Sequence, residues 1–497
     1  MVNTISRLIL SLALFTSLFT SCSDTEASGV GSVEFEATGI FFDKAIYTQN
    51  ADLSKVRVVT FELDNVETLE VDSYPNGWEV ELQFYKNTLI VTAPENITDY
   101  DDNGEILLSG ETFTGNSMSA SIAVGITDFV YIDTDLDMQA NSMIVNEAGK
   151  FYIFSSTFKG EDKTQLLTGV ASAGMLWKDT YCSINHAQKY SDTEIGFYVS
   201  SDEYDIDEDG EYTDIKEGSA VIAAYDENED ILWSWHIWGL DDEISEITFN
   251  DRTFMDRNLG ADYNDIFILA DDDLYSTQNT NECTKNSYGL YYQWGRKDPF
   301  PTPVTYNCTG GYDNFLVNDY NSSVYISYYE TTAVKGRVSY TTEYPTYYLT
   351  GVTESNDDWL YSSHNGDLWN DNTKSIYDPS PKGWRVPRST DFDGVTLASI
   401  PPSQTSDGTY SYAAMLQDAS GKEELFIGAG RRNYISGRIQ NVIGDGNYTP
   451  WSGYYWTSGS TTDTKSYCLK FASDESLTTQ YAARRANGMQ IRCVKNE

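Results

Sequence analysis

A chain of 497 residues, at about 150 per domain, has room for about three domains with buried cores. Its 32 basic residues against 76 acidic ones leave a net charge of −44, which repels phosphate backbones and anionic membrane surfaces. Nucleic acid is thereby excluded as a partner, while calcium and cationic partners are not. Three histidines, His186, His236 and His364, leave little for imidazole zinc sites or a histidine general base, so any catalysis would rest on carboxylates. A residue mix heavy in Tyr, Thr, Ser, Asp and Gly favours strands and turns over helices.

The chain opens with one cation, Arg7, an apolar run from Leu8 to Phe19, then Thr20 and Ser21 before Cys22. That run is too short to span a bilayer and reads as a secretory leader over 1–21. A cysteine at the cleavage point resembles the bacterial lipoprotein signal, with Phe19 where that signal usually has leucine. The resemblance implies acylation of Cys22 and a lipid anchor in the outer membrane. Residues 22–32 form an acidic tether, whose Ser23-Asp24-Thr25-Glu26 resembles the surface-export signal of Bacteroidetes lipoproteins and implies a protein facing the cell exterior.

Over 33–129, short period-two segments (Val56 to Phe61, Trp78 to Leu82, Thr88 to Thr92) alternate with turn signals at Pro75-Asn76-Gly77 and Asp102-Asn103-Gly104. They predict a β-sandwich, similar to the immunoglobulin-like modules of Bacteroidetes surface proteins, with Trp78 in its core. A second β module is predicted over 130–245. Its clearest feature is a hairpin with arms Ala220 to Tyr225 and Ile231 to Trp238 and a loop from Asp226 to Asp230. Alternation places Ile231, Trp233, Trp235 and Ile237 on one face and Leu232, Ser234, His236 and Trp238 on the other, so both faces are expected to be covered. His236 then reads as a satisfied histidine at a packed junction rather than a ligand.

Residues 246–497 carry the most specific strings: Met255 to Ala261 (MDRNLGA), Tyr291 to Pro301 (YYQWGRKDPFP), Pro381 to Pro387 (PKGWRVP), Gly453 to Ser458 (GYYWTS) and Ile491 to Val494 (IRCV). In this order they resemble the Fibrobacter succinogenes major paralogous domain. The resemblance implies an α+β, C-type-lectin-like domain of small sheets and one or two helices wrapped by long loops. The whole chain is therefore expected to be mainly β, with two immunoglobulin-like modules followed by the lectin-like domain. Arg257, Arg296, Arg385 and Arg492, each beside a Trp, Asp, Asn or Cys, are expected to lock loops that lack regular pairing. Where many relatives have a cysteine, this chain has Ser380.

Setting Cys22 aside leaves five cysteines, so one thiol is unpaired in an oxidising compartment. The expected pairings are Cys468 with Cys493, in the last two strand-like segments, and Cys283 with Cys308, which bracket Trp294-Gly295-Arg296; Cys182 stays free. Trp369-Asn370-Asp371 lacks the proline tripeptide of a calcium-dependent lectin and is taken as coincidence. Asp205, Asp207, Asp209 and Glu211 alternate before and after Gly210 like the opening half of a calcium loop, although Lys216 stands where an EF-hand has its bidentate glutamate. Calcium is the one cofactor they could hold.

Tyr325, Tyr328, Tyr329, Tyr344, Tyr347 and Tyr348 crowd a stretch without strand periodicity and are the ligand-binding candidates, since sugars need rings to stack on. Deleting Ser327 to Thr350 is expected to abolish glycan or partner binding and leave the domain folded; the alternative is that these tyrosines pack the insertion onto the domain, in which case the deletion costs the fold. The chain therefore reads as a non-enzymatic surface lipoprotein, an adhesin or glycan-binding protein with glycans or surface proteins as partners. The rival reading is a surface glycan hydrolase using two carboxylates. No motif brings two carboxylates together.

Overall fold

The computed structural model describes residues 30–48, 53–97, 103–132, 139–180, 182–201, 214–264, 287–301, 316–319, 322–400, 413–441, 451–462 and 464–497. Two compact units divide them: one holds the residues up to 126 except 43–45, and the other holds 43–45 and everything from 127 on. Almost all regular structure is strand, so the chain is mainly β.

In the first unit, one sheet runs in the order Ser32–Phe35, Val56–Asp64, Thr88–Thr92, Glu79–Gln83, and a second is built on Val66–Ser73, Asn103–Thr112 and the start of Ser117–Tyr131. Ile106 and Leu108 on one strand, Ile122 and Val124 on the next, and Leu89 and Val91 on the other sheet bury one face each at period two and join one core. This is a β-sandwich. Trp78 lies in that core with its ring 5.7 Å from that of Phe42, in an edge-to-face contact. Gly77 takes a left-handed φ of 87°, as the Pro75-Asn76-Gly77 turn requires. Asn103 and Gly104, by contrast, open a strand instead of forming the predicted turn.

The second unit contains the predicted hairpin, Gly218–Tyr225 against Ile231–Gly239, in a six-stranded sheet with Ser172–Asp179 and Ser142–Val145. Both faces are buried, and they serve different cores. Trp233, Trp235, Ile237, Ile222 and Ala224 pack with Tyr152, Phe154, Ile195 and Phe197 of the sheet that holds Lys150–Ser155 and Glu194–Val199. Trp238, Val221 and Trp177 pack instead with Leu259, Tyr292, Met489 and Ile491. The hairpin is thus a shared wall. That arrangement removes the boundary expected near 246: residues 127–497 are one unit, because Trp238 and Leu240 complete a core whose other members come from the far end of the chain.

Beyond 246 the described residues form five small sheets. Glu246–Phe249, Arg252–Met255, Val494–Lys495 and Trp384–Arg385 make one in that order; Ser452–Thr462, Lys465–Ala472 and Leu477–Arg484 make an antiparallel meander. One six-residue α-helix, Val338–Glu343, is described.

Candidate functional site: a tyrosine cluster on an arginine-locked frame

The quoted arginines are structural, each spent on loop carbonyls. Arg492 is buried and donates to the carbonyls of Met255, Leu425 and Asp256 and to the Glu424 carboxylate, with its guanidinium 4.9 Å from the Phe426 ring centre. Arg296 donates to Gln293 Oε1 and to the carbonyls of Tyr347 and Pro345, between the rings of Phe300 and Trp359. Arg385 holds the carbonyls of Asn370 and Val386, and Arg257 holds that of Asp262 while pairing with Asp256. A guanidinium has five donors in a rigid fork, so one buried side chain can terminate several loop segments at once. Arg432, outside the quoted strings, does the same for Pro301 and Gly437 and donates to Tyr328 Oη.

That frame fixes the tyrosine-rich stretch, which is not irregular. Ser327–Glu330 and Tyr347–Thr350 pair in parallel, with the Val338–Glu343 helix in the connection between them. Each strand is only four residues long, too short to show a period in the sequence, and this is why the strands could not be read from it. The six candidate tyrosines separate into three groups. Tyr348 is fully buried and donates from its hydroxyl to the Ala486 carbonyl at 2.6 Å; Tyr328 packs on it with ring centres 5.8 Å apart. These two are core. Tyr325 is 67% exposed and stands outside the ring contacts of the cluster.

Tyr329, Tyr344 and Tyr347 come together with a fourth ring, Tyr340, which the sequence reading missed. Centroids lie 4.6 Å apart for Tyr340 and Tyr344, 4.9 Å for Tyr344 and Tyr347, and 4.8 Å for Tyr329 and Tyr347. All four are half-buried, so each ring is held by neighbours and still meets solvent. Tyr340 and Tyr344 are spaced i,i+4 across the helix and its C-cap, and that spacing was the signal available. Lys335 places its ammonium 3.6 Å from the Tyr329 ring centre, a cation on a π face. The Tyr344 hydroxyl bonds to the Glu343 carboxylate, which with partial burial pushes its pKa up to about 12; burial likewise raises Tyr340 and Tyr347. The hydroxyls therefore stay protonated, and the cluster offers apolar faces edged by neutral donors.

Other expected sites fare differently. Cys468 and Cys493 are both reduced and buried, which corrects the expected disulfide. Cys468 sits inside the meander opposite Trp456 and Tyr481, whereas Cys493 turns toward Ser380, to whose Oγ its Sγ donates at 3.2 Å. Cys468 lies in a strand of the meander, whereas Cys493 lies outside any strand, just before Val494–Lys495 of a different sheet. Cys182 is free, as expected, and burial pushes its thiol, like that of Cys493, up to about 12. Asp371 accepts from Ser389 N and Oγ and from Ser458 Oγ, so Trp369-Asn370-Asp371 staples a loop. Cys22, Cys283, Cys308, Asp205, Asp207, Asp209 and Glu211 lie outside the described residues. Among the described residues no three His, Cys, Asp or Glu side chains group as a metal site.

No protein-family model and no curated protein matches the chain. Solved structures similar to parts of it include the D00-D0 domain of intimin, at 8% identity over 42% of this chain and 96% of that one, with a TM-score of 0.16. The SGBP-B of the Bacteroides ovatus mixed-linkage glucan utilization locus, in complex with a mixed-linkage heptasaccharide, is 14% identical over 40% of this chain and 43% of that one, with a TM-score of 0.12. The Ig1-2 module of the Drosophila receptor protein tyrosine phosphatase DLAR is 11% identical over 42% of this chain and 98% of that one, with a TM-score of 0.14. Scores this low carry no argument about function. The β character of the chain stands on its own strands.

Proposed function

We propose that this chain is a non-enzymatic, lipid-tethered protein of the outer cell surface that binds saccharide on Tyr329, Tyr340, Tyr344 and Tyr347. One observation carries the reading: four adjacent rings, half-exposed and edged by hydroxyls, ride on a parallel strand pair whose base is locked by Arg296 and Arg432. A sugar presents an apolar face ringed by hydroxyls, and rigid rings bind it at little entropic cost. The C-terminal half, in this reading, is a Fibrobacter succinogenes major paralogous domain. Its quoted strings support that, since Leu259, Trp294, Trp384, Trp456 and Cys493 meet in one core. Acylated Cys22 supplies the tether.

Retention of the intact protein on immobilised neutral glycans tests the site. Tyr340→Ala with Tyr344→Ala should weaken retention about tenfold, the loss of two stacking rings, while costing only about 1 kcal/mol of stability. Undiminished retention, or reducing ends released from the same glycans by the wild type, would overturn the reading. Labelled palmitate should enter the wild type and not Cys22→Ala; equal labelling would remove the tether.

A further inference from the structure

A cleft of about 370 Å³, within the size range of small-ligand sites, opens away from every quoted motif and is lined by Thr353, Asn356, Asp357, Thr464, Lys465 and Arg484. Lys465 and Arg484 occupy directly paired positions on adjacent antiparallel strands. Like charges so placed destabilise a sheet, and in a chain with 44 surplus negative charges the pairing is conspicuous. Asp357 answers Arg484 only in part, accepting from its Nε at 2.6 Å. The guanidinium lies 4.4 Å from the Tyr434 ring centre, its side chain is 40% exposed, and its two terminal amines donate to no described residue.

The arginine is held in place from below. The next residues along both segments repeat the pairing inside the protein: Asp358 and Arg485, both fully buried, approach to 3.8 Å. Asp358 also bonds His364 Nδ1 at 3.0 Å, and Arg485 donates to Ser466 Oγ and the Asn365 carbonyl and stacks 4.3 Å from the Trp294 ring centre. An outer ion pair anchored by an inner one presents its spare donors in a fixed direction, which is what a pre-organised site needs.

We infer that this cleft binds the carboxylate of an acidic saccharide, a uronic acid, on the terminal amines of Arg484 with Lys465 flanking. The planar fork of arginine matches a carboxylate with two parallel N–H bonds. Thr353, Asn356 and Thr464 add hydroxyls and an amide that both donate and accept, as a polyhydroxylated ring demands. All six lining residues carry polar or charged side chains. The inference does not rest on the tyrosine cluster.

Calorimetric titration of the intact protein with oligogalacturonate and with its neutral methyl ester tests it. The acid should bind at least about tenfold more tightly than the ester, and Arg484→Gln should erase the preference. Lys465→Gln should lose a smaller part of it. Retention on neutral glycans should be unchanged in Arg484→Gln, so this experiment and that on the tyrosines fail separately. Absence of binding, equal binding of acid and ester, a preference surviving in both variants, or tighter binding of polyglutamate than of the uronate would each overturn the assignment.

Discussion

His236 shows how completely a polar side chain can be spent on structure. Ser142 Oγ donates its only proton to the Pro379 carbonyl at 2.6 Å, so its contact with His236 Nδ1 at 2.9 Å has the ring as donor. Nε2 must then accept from Ser219 Oγ at 3.1 Å. The neutral ring is thus satisfied on both sides, and burial pulls its pKa from 6.5 down to about 3. A histidine so depressed leaves stability intact above about pH 6.5, where neither state binds its proton, and erodes it as pH falls toward 3, because only the unfolded chain protonates. The loss attributable to His236 should reach about 2 kcal/mol by pH 5. Denaturant unfolding of wild type and His236→Gln at pH 7 and pH 5 measures it: the difference between the two proteins should narrow by that amount, and parallel losses would refute the assignment. At this scale much was legible. An arginine set in a motif beside a Trp, Asp, Asn or Cys announces its own burial, as Arg296 and Arg492 do. Which acceptor each donor finds was not legible, because Arg492 bonds a carbonyl 237 residues away. Cys493 facing Ser380 is hidden for the same reason.

The strand pair Ser327–Glu330 and Tyr347–Thr350 changes what a deletion would do. Tyr348 and Leu349 are fully buried, the Leu349 carbonyl accepts from Gln293 Nε2 at 2.8 Å, and the carbonyls of Pro345 and Tyr347 hold Arg296. Removing Ser327 to Thr350 would therefore strip a buried guanidinium of both its carbonyl acceptors, leaving it Gln293 Oε1, and open a cavity where two core side chains stood. Each of these defects costs several kcal/mol, against a typical total stability of about 5–15 kcal/mol. The expected outcome is loss of the cooperative thermal transition of the second unit, with the first unit still melting; a surviving second transition would return the segment to the status of a loop. Sequence periodicity missed these strands because four residues are too few to carry a readable alternating pattern. The hairpin at Ile231–Gly239 was legible for the opposite reason: long arms and a turn-rich link between them identify it even where both faces are apolar.

Two units, not three, make up the described chain. The division near 130 could be read because a hundred residues of alternating strands close a sandwich on their own, as Leu89, Ile106 and Ile122 do. The division near 246 could not. Counting strands and tryptophans in each stretch cannot reveal that Trp233 and Trp238, five positions apart, face two different cores. A piece beginning at 246 would expose the surface that Trp238, Trp177 and Val221 cover. The placement of Val494–Lys495 between Arg252–Met255 and Trp384–Arg385 has a consequence in time. A chain synthesised from its N-terminus delivers the first strands of this sheet early, but the strand that joins them arrives only after some 240 further residues have been added. Until then Arg252–Met255 is paired on one edge only, by Glu246–Phe249, Trp384–Arg385 lacks the strand it pairs with, and Arg492 has not reached Met255. Closure of such non-local contacts is slow and late by nature. This sheet of the second unit is thereby completed last, and the order of its own strands sets when the unit can lock.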